Sequence, residues 1–176
     1  MCLGIIVAGG FAACGGSDAG TTTGAGPQVL TVYSSVPLQG GGRPRSESIV
    51  DGEKLALAQS HGRIGPFTIK YVVLDNADPA TGRWDPALTA GNARKAAQDR
   101  SAIAYIGELD SGASAISIPV LNLVGLLEVS PASTAVGLTR AAGEKGEPDK
   151  YYPSGRRTFG RIVPTDDAQA RAQVAY

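Results

Sequence analysis

Cysteine, histidine and aromatic residues are scarce in this sequence. Its 176 residues contain two cysteines, Cys2 and Cys14, and one histidine, His61. Both cysteines precede the part that has the pattern of a folded domain, so that part has no disulfide, thiol nucleophile or Cys/His metal site. A serine nucleophile also needs a base, and His61 lies in a predicted turn distant from the serine-rich loops. We therefore expect neither an enzyme nor a bound cofactor.

A net charge of either sign is absent as well. The sequence balances sixteen Lys and Arg residues against sixteen Asp and Glu residues. Because nucleic-acid-binding domains carry a basic excess, we expect no nucleic-acid partner. The length suffices for one domain with its own core and is short for two.

The beginning of the chain does not have the pattern of a folded domain. An apolar run at 3–8, too short to span a bilayer, is followed by the sequence FAAC at 11–14. Small residues before a cysteine resemble the lipobox of bacterial lipoproteins, in which the cysteine is lipidated. This resemblance predicts a lipoprotein-type signal segment at 1–14, with Cys14 as the lipidation site, and a Gly- and Thr-rich flexible tether at 15–27. The alternative is a disordered N-terminus with an incidental cysteine.

Beyond the tether, strand-like runs alternate with helix-like segments. Apolar, β-branched runs predict five strands, at 29–35, 67–74, 103–106, 126–129 and 158–163. Helices are predicted between them, with Ser48 and Asp85 as the first two N-caps, Pro119 as a kink or break in the third, and a last helix from residue 165. This order indicates an α/β fold with a doubly wound parallel sheet.

Two serine-containing loops are the candidate ligand site. In doubly wound sheets ligands bind beyond the carboxyl ends of the strands, where loops 36–47, 75–85, 107–112 and 130–134 are predicted. In the third loop, backbone N–H groups at a helix start favour an anion, and so does one hydroxyl. The N–H groups belong to Gly112, Ala113 and Ser114, and the hydroxyl belongs to Ser111. In the fourth loop, hydroxyls and an unobstructed carbonyl suit an ammonium; these belong to Ser130, Ser133, Thr134 and Ala132. Together they predict a site for a small zwitterion.

Other readings of these residues remain open. The third loop is also explained as a helix cap and the fourth as an ordinary strand–helix turn. Glu108 and Asp110 count against an anion site if their carboxylates face it. Trp84 is either a stacking platform for a ligand or a packing residue beneath its loop. Three further aspartates suggest a metal site, but turn and cap roles explain them as well: Asp75, Asp78 and Asp85.

The segment YIGELDSGASAISIPVLNLVGLLEVSPASTAVGLT at 105–139 resembles a known family. It is similar to the first lobe of type I periplasmic substrate-binding proteins of the branched-chain amino acid ABC transporter group. The likeness extends over 28–176 and includes the closing FGRIVPTDDAQARAQVAY. It implies a first ligand-binding lobe at 28–163 and, at 164–176, the start of a helix and crossover toward a second lobe that this sequence lacks. The chain is then a fragment or the first half of a split gene.

The resemblance also implies roles for individual residues. Ser111 matches the serine that meets the ligand's α-carboxylate, the carbonyl of Ala132 matches the acceptor of the α-ammonium, and Thr134 matches the threonine that touches both. The loop PLQGGGRPRSES lacks the aromatic residue that this family often has there.

The implied function is a lipid-anchored, extracytoplasmic receptor in bacteria. Such a receptor delivers a branched-chain-like amino acid to an ABC transporter permease. The alternative is the ligand-sensing domain of a signalling receptor.

Overall fold

The computed structural model describes residues 28–176, which form one six-stranded sheet with flanking helices. The predicted signal segment, the tether and Cys14 lie outside these described residues. The strands are β1 Val29–Val36, β2 Arg63–Ile64, β3 Phe67–Asp75, β4 Ala102–Ile106, β5 Leu127–Ser130 and β6 Phe159–Arg161. The helices are α1 Arg43–Gln59, α2 Pro86–Gln98, α3 Ser111–Leu123 and α4 Asp166–Ala175.

The sheet has the order β2-β3-β1-β4-β5-β6, with β1 near its centre. The chain moves from β1 to β3 on one side and then crosses to β4 on the other side of β1. The carboxyl ends of β1 and β4 therefore form the point at which the winding direction changes, where ligands bind in such sheets. The predicted α/β, doubly wound architecture is confirmed.

One strand was not predicted, and it makes the sheet mixed rather than wholly parallel. Strand β2 pairs antiparallel with β3, whereas the other pairs are parallel. It has two residues, both exposed, followed by the turn at Gly65 and Pro66. Two residues are too few for an alternating pattern, so the sequence offered only the turn.

Helix α1 begins at Arg43 and not after the predicted N-cap Ser48. Pro44 stands in its first turn, where a missing N–H costs nothing because no carbonyl of the helix precedes it. Arg43 and Glu47, one turn apart, form an ion pair at 2.7 Å. Ser48 lies inside the helix, and its hydroxyl donates to the Pro44 carbonyl at 2.9 Å. The first loop is consequently shorter than the predicted 36–47.

The other helix signals have mixed outcomes. Asp85 is the N-cap of α2, as predicted, and its carboxylate accepts the Leu88 N–H at 2.8 Å. Pro119 does not divide α3, which runs from Ser111 to Leu123. A proline in a helix removes one hydrogen bond, and the packing of α3 on α2 and the sheet compensates for that loss.

The two faces of the sheet are covered unequally. Helices α2 and α3 pack on one face over a core that includes Tyr33, Leu74, Tyr105 and Leu121. On the other face α1 contributes to a smaller core cluster with strand and loop residues, and a groove of about 830 Å³ separates much of this helix from the strands. Side chains along this face stay open to solvent, with Ile103 40% and Ile162 77% exposed.

Within residues 28–176, no helix is both long and apolar enough to cross a membrane.

Candidate functional site

The loops at the carboxyl edge of the sheet contact one another in sequence. The first and second loops meet where Gly40 lies against Gly82, and both glycines have φ of +65°. The second and third loops meet where Trp84 lies against Gly112. The third and fourth meet through Ser111 and Thr134, described next. The four loops therefore form a continuous rim around the switch point of the sheet.

Ser111 joins the two predicted ligand loops. Its Oγ accepts the backbone N–H groups of Thr134 and Ala135, each at 3.1 Å. A hydroxyl has two acceptor lone pairs and one donor. Both lone pairs are used here, so the proton of Ser111 remains available for an anion.

The first turn of α3 offers three further donors. The N–H groups of Ser111, Gly112 and Ala113 precede the first helical bond. That bond runs from Ser114 N–H to the Asp110 carbonyl at 3.0 Å, so the prediction of a free N–H at Ser114 was wrong. Asp110 occupies the N-cap position, but its side chain makes no capping hydrogen bond. The interpretation of this loop as only a helix cap is therefore not supported, because the Asp110 side chain does not bond to these N–H groups. They are left for a ligand or for water.

The fourth loop is held from within by its own hydroxyls. Ser130 Oγ accepts the N–H groups of Ala132 at 3.1 Å and Ser133 at 2.8 Å, and it donates to the Glu108 carbonyl at 2.6 Å. Ser133 is fully buried, and its Oγ bonds to Ser114 Oγ at 2.7 Å and to the Glu108 carbonyl at 3.1 Å. Ser130 and Ser133 shape the loop rather than present hydroxyls to the crevice.

The predicted acceptor of the fourth loop and one of its predicted hydroxyls stay free. Among the described residues, neither the Thr134 hydroxyl nor the Ala132 carbonyl takes part in a hydrogen bond. Arg161 occupies the neighbouring carbonyls instead, donating to Ser133 at 3.0 Å and to Ala135 at 2.8 Å. The Ala132 carbonyl is two residues before Thr134, whose N–H donates to Ser111 Oγ.

Glu108 corrects one expectation from the sequence. Its side chain does not face the crevice but is fully buried, where it accepts Asn76 Nδ2 at 2.6 Å and the Tyr105 hydroxyl at 2.7 Å. The objection that this carboxylate would repel an anion is thus removed by geometry. Asp110, in contrast, is exposed beside the helix start.

Burial raises the pKa of Glu108 to about 7, although hydrogen bonds from Tyr105 and Asn76 oppose the rise. Glu128 is also buried, and burial raises its pKa well above the usual range. Its Oε1 accepts Ser117 Oγ at 2.7 Å, whereas its Oε2 has no partner among the described residues. Among residues 28–176 no cation is paired with either carboxyl, so burial disfavours their ionised forms.

The three aspartates of the second loop have the structural roles that were the alternative to a metal site. Asp75 accepts the N–H groups of Leu38 at 2.9 Å and Ala77 at 2.8 Å, Asp78 closes the following turn, and Asp85 caps α2. No group of three or more potential metal ligands occurs within 28–176.

The groove beside α1 meets these loops at Pro131 and otherwise lies along the face of the sheet. It is lined by strand and helix side chains such as Val32, Ala56 and Ile106, and its lining is almost wholly apolar. It lacks the paired donors and acceptors of the rim. The rim is therefore the better candidate for a small polar ligand.

Comparisons with known proteins give a fold but no close relative. No family model matches the sequence, and no curated protein matches it. Among solved structures, an ABC transporter substrate-binding protein from Desulfitobacterium hafniense in complex with leucine has a TM-score of 0.63 and 20% identity, over 85% of this chain and 38% of its own. A leucine-binding protein from Thermotoga maritima has a TM-score of 0.63 and 21% identity, over 83% of this chain and 36% of its own.

A third solute-binding protein, from R. palustris in complex with benzoate, has a TM-score of 0.63 and 23% identity, over 82% of this chain and 35% of its own. The chain has the fold of part of these binding proteins. The predicted type I binding-protein fold is thereby confirmed, and the chain spans less than two fifths of the length of each of the three.

The sequence patterns did not predict the interior network beneath this edge of the sheet. Asn76, Tyr105 and Glu108 lie on three different segments, and nothing in their spacing indicates that they meet. The one available signal was a glutamate in a stretch of small residues directly after a buried strand.

Proposed function

We propose that this chain is a ligand-binding lobe of an extracytoplasmic solute-binding receptor, whose ligand is a small amino acid or a related carboxylate. The solute would be carried by binding and release, without chemical conversion. The observation that carries the proposal is the position of Ser111, which joins both loops and leaves its own proton free.

The parts of the site suit the two ends of a zwitterion. The hydroxyl of Ser111 and the N–H groups of Gly112 and Ala113 would receive the carboxylate, aided by the dipole of α3. The carbonyl of Ala132 would receive the ammonium, and the hydroxyl of Thr134 can donate to one end and accept from the other. Ser133 would act indirectly, by holding the loop.

The solved structures with the same fold include complexes with leucine and with benzoate. These two ligands share a carboxylate and differ in the ammonium and in the shape of the apolar part. L-leucine, L-isoleucine and benzoate are therefore the first compounds to test.

The cellular setting belongs to the same proposal. Cys14, after the small residues of FAAC, would carry a lipid that anchors the receptor outside the cytoplasmic membrane. An ABC transporter permease would take up the released solute. Mass spectrometry of the protein from bacterial membranes checks the anchor, since lipidation adds a diacylglyceryl group to Cys14 and removes the residues before it.

Isothermal titration calorimetry with the three compounds tests the binding itself. The proposal expects saturable heat for at least one of them and its reduction in Ser111→Ala. The matched control is Ser48→Ala, whose hydroxyl bonds only within α1. Equal affinities of Ser111→Ala and Ser48→Ala for a compound that binds would refute the assignment of the site. The absence of binding heat with all three compounds would refute the proposed ligand class.

A further inference from the structure

The carboxyl-edge loops contain a single aromatic side chain, Trp84, which is also the only tryptophan of the whole sequence. It ends the second loop, one residue before the cap of α2. The other aromatic residues of the described chain lie in the strands, in the connection between β5 and β6, or at the end of α4. Any aromatic contact that these loops make with a ligand must therefore come from Trp84.

The indole lies directly on the start of α3. A Cβ added at Gly112 would be 2.8 Å from Cζ2 and 3.2 Å from Cη2 of Trp84, so the benzo edge of the ring occupies the space beside this glycine. Gly112 supplies one of the free N–H donors of the candidate anion site. The ring edge and the anion site are thus in contact.

The second loop holds Trp84 in this position. Its ends form a bridge between Ala77 and Trp84, and the N–H of Asp78 donates to the Arg83 carbonyl at 2.7 Å. The N–H of Asp85 donates to the Asn76 carbonyl at 2.8 Å. The side chain of Trp84 remains partly exposed, and its indole N–H has no hydrogen-bond partner among residues 28–176.

We propose that Trp84 is a specificity-determining residue, whose indole forms the wall next to the carboxylate-binding end and selects ligands with an apolar or planar body. The inference rests on the proposed function and goes beyond it, because it assigns a residue that contacts the ligand beside its charged group. A flat, polarisable ring at this point favours an aromatic carboxylate such as benzoate through offset or edge-to-face stacking. Packing beneath the loop alone would bury Trp84, whereas the residue remains partly exposed and its indole N–H has no partner among the described residues.

The sole tryptophan makes the site directly observable. Titration of the 176-residue chain with benzoate and with L-leucine is followed by tryptophan emission and, in parallel, by calorimetry. We expect an emission change that saturates at the calorimetric dissociation constant. In calorimetry, Trp84→Ala should weaken benzoate about tenfold or more and leucine less, whereas Trp84→Phe should restore most of the benzoate affinity.

Gly112→Ala provides a second, independent variant. Its new methyl group must displace the indole, so we expect shifted emission without ligand and an altered ratio of benzoate to leucine affinity. Gly91→Ala is the matched control, since a Cβ at Gly91 meets nothing within 4 Å. Thermal unfolding of each variant identifies any that fails to fold.

The outcomes separate this inference from the proposed function. If binding is saturable, the emission stays constant and the ratio of benzoate to leucine affinity is the same in Trp84→Ala as in the parent chain, the role of Trp84 is overturned. The proposed function then stands. Absence of saturable binding for every carboxylate overturns the proposed function, and the role of Trp84 with it.

Discussion

The Oγ of Ser111 accepts the backbone N–H of Thr134 at 3.1 Å, across 23 residues of sequence. This bond joins the start of α3 to the loop after β5, and it fixes which polar groups stay free. The N–H of Thr134 is used and its hydroxyl is not. The Ser111 side chain therefore has a structural role, whereas the Thr134 hydroxyl has none among the described residues. The proposed function assigns both side chains to the ligand.

Thr134→Val should weaken ligand binding without changing stability. Valine keeps the shape of threonine and removes only the hydroxyl, which has no hydrogen-bond partner among the described residues. A ligand group left unpaired in a buried site costs about 1–3 kcal/mol, so we expect a comparable loss in calorimetry with L-leucine. A thermal midpoint within error of the parent chain is expected at the same time. Unchanged affinity would exclude Thr134 from the site.

Ser111→Ala should lower both affinity and stability. The variant leaves the N–H groups of Thr134 and Ala135 without their acceptor and removes a donor to the ligand. We expect a loss of about 1–3 kcal/mol in the free energy of unfolding by urea titration, in addition to weaker binding. A variant that binds weakly but unfolds like the parent would show that water replaces Ser111 between the loops.

Glu108→Gln should remove a pH dependence of stability. Burial raises the pKa of Glu108 from 4.5 to about 7, so the folded state holds this proton more tightly than the unfolded state. Its contribution to stability is complete below the unfolded pKa and is lost as the pH rises through the folded pKa. The stability of Glu108→Gln relative to the parent should therefore increase between about pH 5 and about pH 8, by on the order of 3 kcal/mol.

The geometry accommodates glutamine at this position. The carbonyl oxygen of Asn76 is buried without a partner, so the amide of Asn76 can turn and accept from a neutral donor at 108. Glu128 is present in both proteins, and burial, the main cause of its raised pKa, is the same in both. Parallel stability curves for the two proteins across this pH range would show that Glu108 does not take up a proton on folding.

Gly40→Ala should destabilise the rim of loops, whereas Gly41→Ala should not. Gly40 has φ of +65°, and a Cβ there would be 2.6 Å from the Cα of Gly82. A left-handed alanine costs about 1–2 kcal/mol even without that clash. A Cβ at Gly41 meets nothing within 4 Å, so this neighbour is the matched control. Equal urea midpoints for the two variants would contradict the close contact between the first and second loops.

The alternation of strands and helices could be predicted from the sequence, because apolar runs and capping residues are local signals. Asp85 shows this, since an aspartate before a proline has one favourable arrangement at a helix start. The start of α1 was placed six residues late because three glycines and two prolines resemble a loop. The two-residue strand β2 was missed because its pairing depends on β3 and not on its own pattern.

The candidate site was predictable only in part. The backbone donors of Gly112 and Ala113 follow from the position of a strand end and a helix start. The inward orientation of Glu108 does not, because it depends on Asn76 and Tyr105, which come from elsewhere in the sheet. The contact between Trp84 and Gly112 likewise joins two loops that are distant in sequence.

The most direct test of the central claim is the amide chemical-shift map of the 176-residue chain, recorded by NMR during titration with L-leucine and with benzoate. The account predicts saturable shifts at Ser111, Gly112, Ala113 and Thr134, with no comparable change around the groove beside α1. Shifts confined to that groove, at residues such as Ile49, Ala56 and Ile103, would contradict a ligand site at the carboxyl edge of the sheet.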